Sequence, residues 1–233
     1  MTLSVNKINT NNFTSYQNRN NKVKTSTKIA AATGSVVGVT SALALISRGH
    51  GIKIPSSLKN PKEVVNILKK IELKEKDVIE IASSSIAGGI IGGSLTDSKN
   101  TKAKVKEGVV QLIGNYIVPT LFVGGGIKLN KLLNKHYNFP PVTKAIQFAF
   151  GFTSLIAGVI VGNKAARKIN SKVFEEKEEY RKLNWKDWAV QFDNACLVTS
   201  ISNTGTEIAK IASRVIPAAH LIPGYLVGIK KGE

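Results

Sequence analysis

The stretch Ser84-Ser85-Ile86-Ala87-Gly88-Gly89-Ile90-Ile91-Gly92-Gly93 decides the fold. Two registers at spacing four run through it, Ser84, Gly88, Gly92 and Ser85, Gly89, Gly93. Residues four apart share a helix face, so the stretch carries two adjacent small-residue stripes. In water each glycine costs a helix about 1 kcal/mol relative to alanine. Between closely packed membrane helices the missing side chains let backbones approach, which gives the glycines a use. A Gly-rich soluble turn is the competing reading. Ile90 and Ile91 weaken it, because a turn would carry polar residues between the glycine pairs.

The stretch is the centre of an apolar run, Val78–Thr96, interrupted by Glu80. Three more runs carry no charge at all: Ile29–Ser47, Gly108–Ile127 and Ala145–Asn163. At 1.5 Å per residue each is roughly 28–30 Å long as a helix, about the hydrocarbon thickness of a bilayer. The first has Ala30, Gly34, Gly38 and Ala42 at spacing four, and the last has Ser154, Gly158, Gly162 and Ala166. The doubled register resembles a glycine zipper in general style, without the pattern of one named family. The expected fold is all-α: a polytopic membrane helical bundle packed through small-xxx-small stripes. Its packing residues are Gly34, Gly38, Gly88, Gly89, Gly92, Gly93, Gly158 and Gly162. A signal peptide competes for the first run, since Ala42-Leu43-Ala44 resembles a cleavage site, but the 28-residue leader is long for an n-region.

The bulk composition hides this segregation. The chain of 233 residues has 33 Lys+Arg against 15 Asp+Glu, a formal charge of +18, and a mean hydropathy of zero. Such totals suit a soluble nucleic-acid binder. Arg is scarce, however, and neither an aromatic-interleaved basic strand nor a helix-turn-helix pattern is present, so no nucleic-acid partner is expected. The lysines flank the apolar runs, which suits a lipid bilayer with anionic headgroups. Lysine-over-arginine usage and abundant Asn read as low-GC coding and point to a bacterial cytoplasmic membrane. Cys196 is the single cysteine, so a disulfide framework and a CxxC site are excluded. No cofactor or metal is expected, and a homo-oligomer is compatible with the stripes.

Residues 1–27 are Asn/Thr/Ser-rich, free of acid and too polar to bury a core, which predicts a disordered basic tail ahead of a membrane domain over 28–233. The charged segments 97–107 and 128–144 read as loops, the tight first one joining runs two and three as a hairpin. Pro119 predicts a kink that frees a carbonyl one turn earlier, and Gly124-Gly125-Gly126 an end to the helix or a close approach. Residues 164–187 read as highly charged, with Glu178 and Lys182 at i,i+4 supporting a solvated helix, followed by Trp185 and Trp188 as interfacial anchors. Residues 48–77 include an amphipathic surface helix.

No Walker loop, GxSxG, HExxH or GxGxxG occurs, and no enzymatic activity is expected. The one candidate for chemistry is a polar stripe over Trp188–Arg214. Asp193, Cys196, Ser200, Asn203, Glu207, Lys210 and Arg214 recur there at spacings of three and four. Ionisable groups at membrane depth usually line a path or pair with one another. Asp193, Asn203, Glu207 and Arg214 are therefore the candidate polar membrane residues, with Gln111 or Asn115 as neutral partners, in a small cation or proton transporter or channel. The plainer reading is an interfacial amphipathic helix with the stripe in water. A secreted membrane-inserting effector is a third class, suited by the acid-free tail and the hydrophobic hairpins. Segments 188–208 and 212–229 are less certain spans, the second broken by Pro217 and Pro223. Every loop is basic, so charge counting along the chain leaves the topology open.

Overall fold

The computed structural model describes residues 23–52, 73–137, 144–174, 191–202 and 206–232. Among them the chain is helical, with no strand. Helix α1 spans Thr25–Gly49 and α2 spans Glu75–Thr96. A 3-10 turn, Ser98–Asn100, leads into a long rod made of α3 (Thr101–Val109), a π-helical stretch (Val110–Ile117) and α4 (Val118–Tyr137). Then come α5 (Lys144–Phe174), α6 (Phe192–Ser202), α7 (Glu207–Ala219) and α8 (Leu221–Gly228). Four helices are long and apolar enough to cross a membrane: Thr25–Gly49, Glu75–Thr96, Ser98–His136 and Ala145–Phe174. The fold is that of a multi-pass membrane helical bundle.

Several boundaries differ from the expected ones. Residues 97–107 are not a loop beyond the 3-10 turn, because α3 begins at Thr101. Residues 128–137 are helical, and α5 continues past Asn163 to Phe174. Lys and Glu are good helix formers, so the helices run on past the apolar band into charged segments. The glycine triplet 124–126 does not end its helix. Pro119 is absorbed by a change of register: the Val118 N–H bonds Ile113 O, five residues back. Trp188–Arg214 is not one helix. Thr206 is an extended N-cap whose hydroxyl accepts the Ala209 N–H at 3.2 Å, and a new helix starts there. Replacing Thr206 with Ala is expected to cost about 1 kcal/mol in detergent unfolding midpoints, the usual value of such a cap. The expected tail over 1–27 is too long, because Thr25–Thr27 already belong to α1 and Thr27 is buried; residues 1–22, residues 53–72 of the 48–77 connector, Trp185, Trp188 and Asn203 lie outside the described residues.

Helices α1 and α2 are antiparallel neighbours, with Thr27 beside Thr96 at one end and His50 beside Asp77 at the other. Helix α8 runs parallel to α2, with Gly224 near Ser85 and Gly228 near Gly89 and Gly93. The α3–α4 rod turns back along α2, bringing Gly124 beside Glu75. Helix α5 then packs along the rod through Leu155 and Val159 against Val123 and Ile127. Helix α6 lies between the two halves. Its Leu197 joins Val39, Ile46, Ile81 and Ile216, and its Val198 joins the α4–α5 cluster. Apolar side chains also face outward: Val36, Val37, Ile91, Leu95, Leu121, Phe148 and Phe152 are exposed. Polar ones face inward, among them Ser35, Ser85, Gln111, Asn115, Gln191, Asn194 and His220.

Candidate functional site: a glycine crossing and a buried amide chain

The two registers of α2 meet two different partners. The register of Ser84, Gly88 and Gly92 faces α1. A Cβ built on Gly34 or Gly88 collides with the carbonyl of the other, one on Gly38 strikes the Ser84 carbonyl, and one on Gly92 strikes that of Ala30. The register of Ser85, Gly89 and Gly93 faces α8. A Cβ on Gly89 strikes Gly224, and one on Gly93 strikes Gly228. All of these obstacles are backbone atoms, which cannot rotate aside as a flexible side chain can. Hydroxyls finish the seam: Ser35 Oγ lies 2.9 Å from Ser85 Oγ, Ser35 donates to Leu221 O at 2.9 Å, and Ser85 donates to His220 O at 2.5 Å. These carbonyls belong to the junction where α7 gives way to α8.

Gly158 and Gly162 lie elsewhere, on the α5 face toward the rod. A Cβ on Gly158 would lie 2.7 Å from Pro119 Cα, and one on Gly162 would lie 2.7 Å from Gly114 O. Gly224 and Gly228, also spaced by four, are interface glycines beyond the stripes expected from the sequence, as are Gly114 against Asn163 and Gly151 against Val198.

The rod carries the polar centre. Gln111 Nε2 donates to Glu107 Oε1 at 2.9 Å, and Asn115 Nδ2 donates to Gln111 Oε1 at 2.7 Å. Gln191 Nε2 donates to Asn115 Oδ1 at 2.9 Å, and Asn194 Nδ2 to Gln191 Oε1 at 2.7 Å. Asn194 Nδ2 also reaches Asn115 O at 2.7 Å. That carbonyl is one turn before Pro119, which has no N–H to give it, as the sequence anticipates. Gln111, Asn115, Gln191 and Asn194 are all at least nine-tenths buried. The amide dipoles align head to tail and end on the Glu107 carboxylate, so each bond polarises the next. Tyr116 packs with Ala82, Ile86 and Val227, which places Asn115 level with the middle of α2.

An unmet polar group in hydrocarbon costs several kcal/mol, so the chain of amides ties α6 to the rod. Asn115→Ala removes one bond from each neighbour and should lower stability by about 1–3 kcal/mol, read as a shift in the detergent melting curve.

Of the sequence-derived polar residues, Glu207 and Arg214 lie on α7, away from this centre. Glu207 is exposed at the start of α7 and pairs with Lys210 at 2.7 Å. The Lys210 hydrogen bond and charge, with a smaller contribution from Arg214, hold its carboxyl below the ordinary range. Arg214 is half-buried on α7, and Asp193 falls in the first turn of α6. Asp193 and Glu207 belong to separate helices, the second capped by the extended Thr206, and Gln191 and Asn194 meet Asn115. Sequence signals for the amides existed as Gln111/Asn115 at i,i+4 and Gln191/Asn194 at i,i+3, but only folding shows that the two pairs meet.

A charged clamp closes one end. Lys104 is fully buried, 3.0 Å from Asp97 Oδ2 and 3.0 Å from Lys230 O. Lys230 Nζ lies 3.4 Å from Glu107 Oε2, and the Gly232 N–H bonds Asn100 Oδ1 at 2.9 Å. Among the described residues no cluster of three or more His, Cys, Asp or Glu side chains is arranged to hold a metal. Comparison with protein families, curated proteins and solved structures finds no match to this chain.

Proposed function

We propose that the chain is a non-enzymatic, close-packed integral membrane protein in which α1, α2 and α8 form a rigid glycine-faced scaffold. The observation that carries this reading is the apolar outer surface: leucine, valine, isoleucine and phenylalanine face out, while the interior mixes apolar side chains with amides, hydroxyls and a histidine. A water-soluble domain with so much outward apolar surface would aggregate. The four buried amides carry no charge and hydrogen-bond one another, which supports a packing role over catalysis. Lysine-over-arginine usage and abundant Asn support a bacterial cytoplasmic membrane as its setting. Alkaline carbonate extraction tests the reading. Retention in the membrane pellet is expected, and release into the supernatant would contradict it.

The amide chain favours a second reading, a small conduit for a cation or proton along the rod, reached from Glu107. In proteoliposomes the conduit predicts that Gln111→Leu with Asn115→Leu abolishes flux. The scaffold reading predicts no flux in the parent protein either.

A further inference from the structure

We propose that the end of the bundle bearing the start of α1, the α2–α3 turn, the close of α5 and the close of α8 docks on the phosphate headgroups of an anionic leaflet. This rests on the membrane reading above. Along the sequence every loop is basic, but the fold sorts the charges by end. Thr27 beside Thr96, Gly93 against Gly228, and Lys102 Nζ 5.9 Å from the Phe174 ring bring these segments to one level. Lys24, Lys28, Lys99, Lys102, Lys168 and Lys172 are exposed there. The two carboxylates described at this end are already engaged, Asp97 by Lys104 and Glu107 by Gln111 and Lys230. At the other end Glu75, Asp77 and Glu80 offset half of the six basic residues described there, Arg48, Lys74, Lys76, Lys128, Lys131 and Lys135.

The rim beside the first set is apolar and open, with Ile29, Leu95, Ile169 and Val173 exposed. Ammonium groups standing just beyond an apolar belt suit lipid phosphates better than nucleic acid, because a bilayer also covers the belt, and a polyanion in water does not.

The test uses full-length protein purified from carbonate-washed membranes, so a failure of the membrane reading shows before lipid is added. Phosphatidylglycerol retained by the detergent-solubilised protein is measured against phosphatidylcholine. A lysine near an anionic surface contributes up to about fivefold in affinity. The variant K99Q/K102Q/K168Q/K172Q should therefore retain at least about tenfold less phosphatidylglycerol. K128Q/K131Q/K135Q, at the other end, should change by less than about twofold. Equal losses in both variants, no loss in either, or displacement of the lipid by an oligonucleotide at lower concentration would overturn the proposal.

Discussion

Gly89→Leu is expected to force α8 off α2 and to collapse the three-helix core. Even one added carbon at Gly89 meets Gly224 backbone atoms, with Gly224 Cα at 3.0 Å. Neither backbone can yield without moving a whole helix. Overfilling a packed site usually costs 1–3 kcal/mol, and a leucine wedged between two backbones belongs at or beyond the top of that range, about 3 kcal/mol. The measurement is the detergent or denaturant midpoint of the purified protein. Gly125→Ala is the control, because nothing lies within 4 Å of a Cβ there. It should be neutral or stabilising by up to about 1 kcal/mol, the helix-propensity gain. Equal losses at Gly89 and Gly125 would show that helix propensity, not close approach, sets the cost.

Lys104→Ala should be the second large loss. Its ammonium is fully buried and holds the Asp97 carboxylate and the Lys230 carbonyl together. Removing one partner of a buried ion pair leaves the other uncompensated and commonly costs about 3–5 kcal/mol. Asp97 remains partly solvated, so the lower end, about 3 kcal/mol, is expected here. The segment after α8 should also become accessible to a carboxypeptidase. The pair carries a pH signature. Burial raises the Asp97 carboxyl, but hydrogen bonds from Lys104 and Asn100 and the charges of Lys104 and Lys231 together outweigh it and hold the group below its ordinary value. A depressed carboxyl gives stability that is fully present above its unfolded pKa, about 3.9, and is lost as pH falls through the folded value. The parent protein should thus lose stability below about pH 4. Lys104→Ala should lack that part of the acid dependence. A parallel acid limb in both proteins would count against the clamp.

The helices and their small-residue faces could be read from the chain because spacing four and charge-free runs are local properties. That Ser84/Gly88/Gly92 and Ser85/Gly89/Gly93 are adjacent stripes follows from 3.6 residues per turn. That one stripe meets α1 and the other α8 does not, because it depends on how distant segments pack. Charge is a poor sign of a helix end: Thr101–Glu107 and Lys128–Tyr137 are helical because lysine and glutamate favour helix once a rod extends beyond the apolar band. The stripe from Asp193 to Arg214 does not run along one helix, because Thr206 is an extended N-cap that starts a new one. The amide chain was legible only in halves, since Asn115 and Gln191 are 76 residues apart.

The glycine crossing is tested most directly by oxidising paired cysteines in carbonate-washed membranes. In a Cys196→Ser background, Ser35→Cys and Ser85→Cys replace two hydroxyls that lie 2.9 Å apart. If α1 crosses α2 at Gly34 and Gly88 inside the bilayer, the membrane pellet should hold a chain almost fully closed by one intramolecular disulfide, reopened by reductant. Free thiols after oxidation, disulfides formed only between chains, or protein lost to the carbonate supernatant would contradict that crossing.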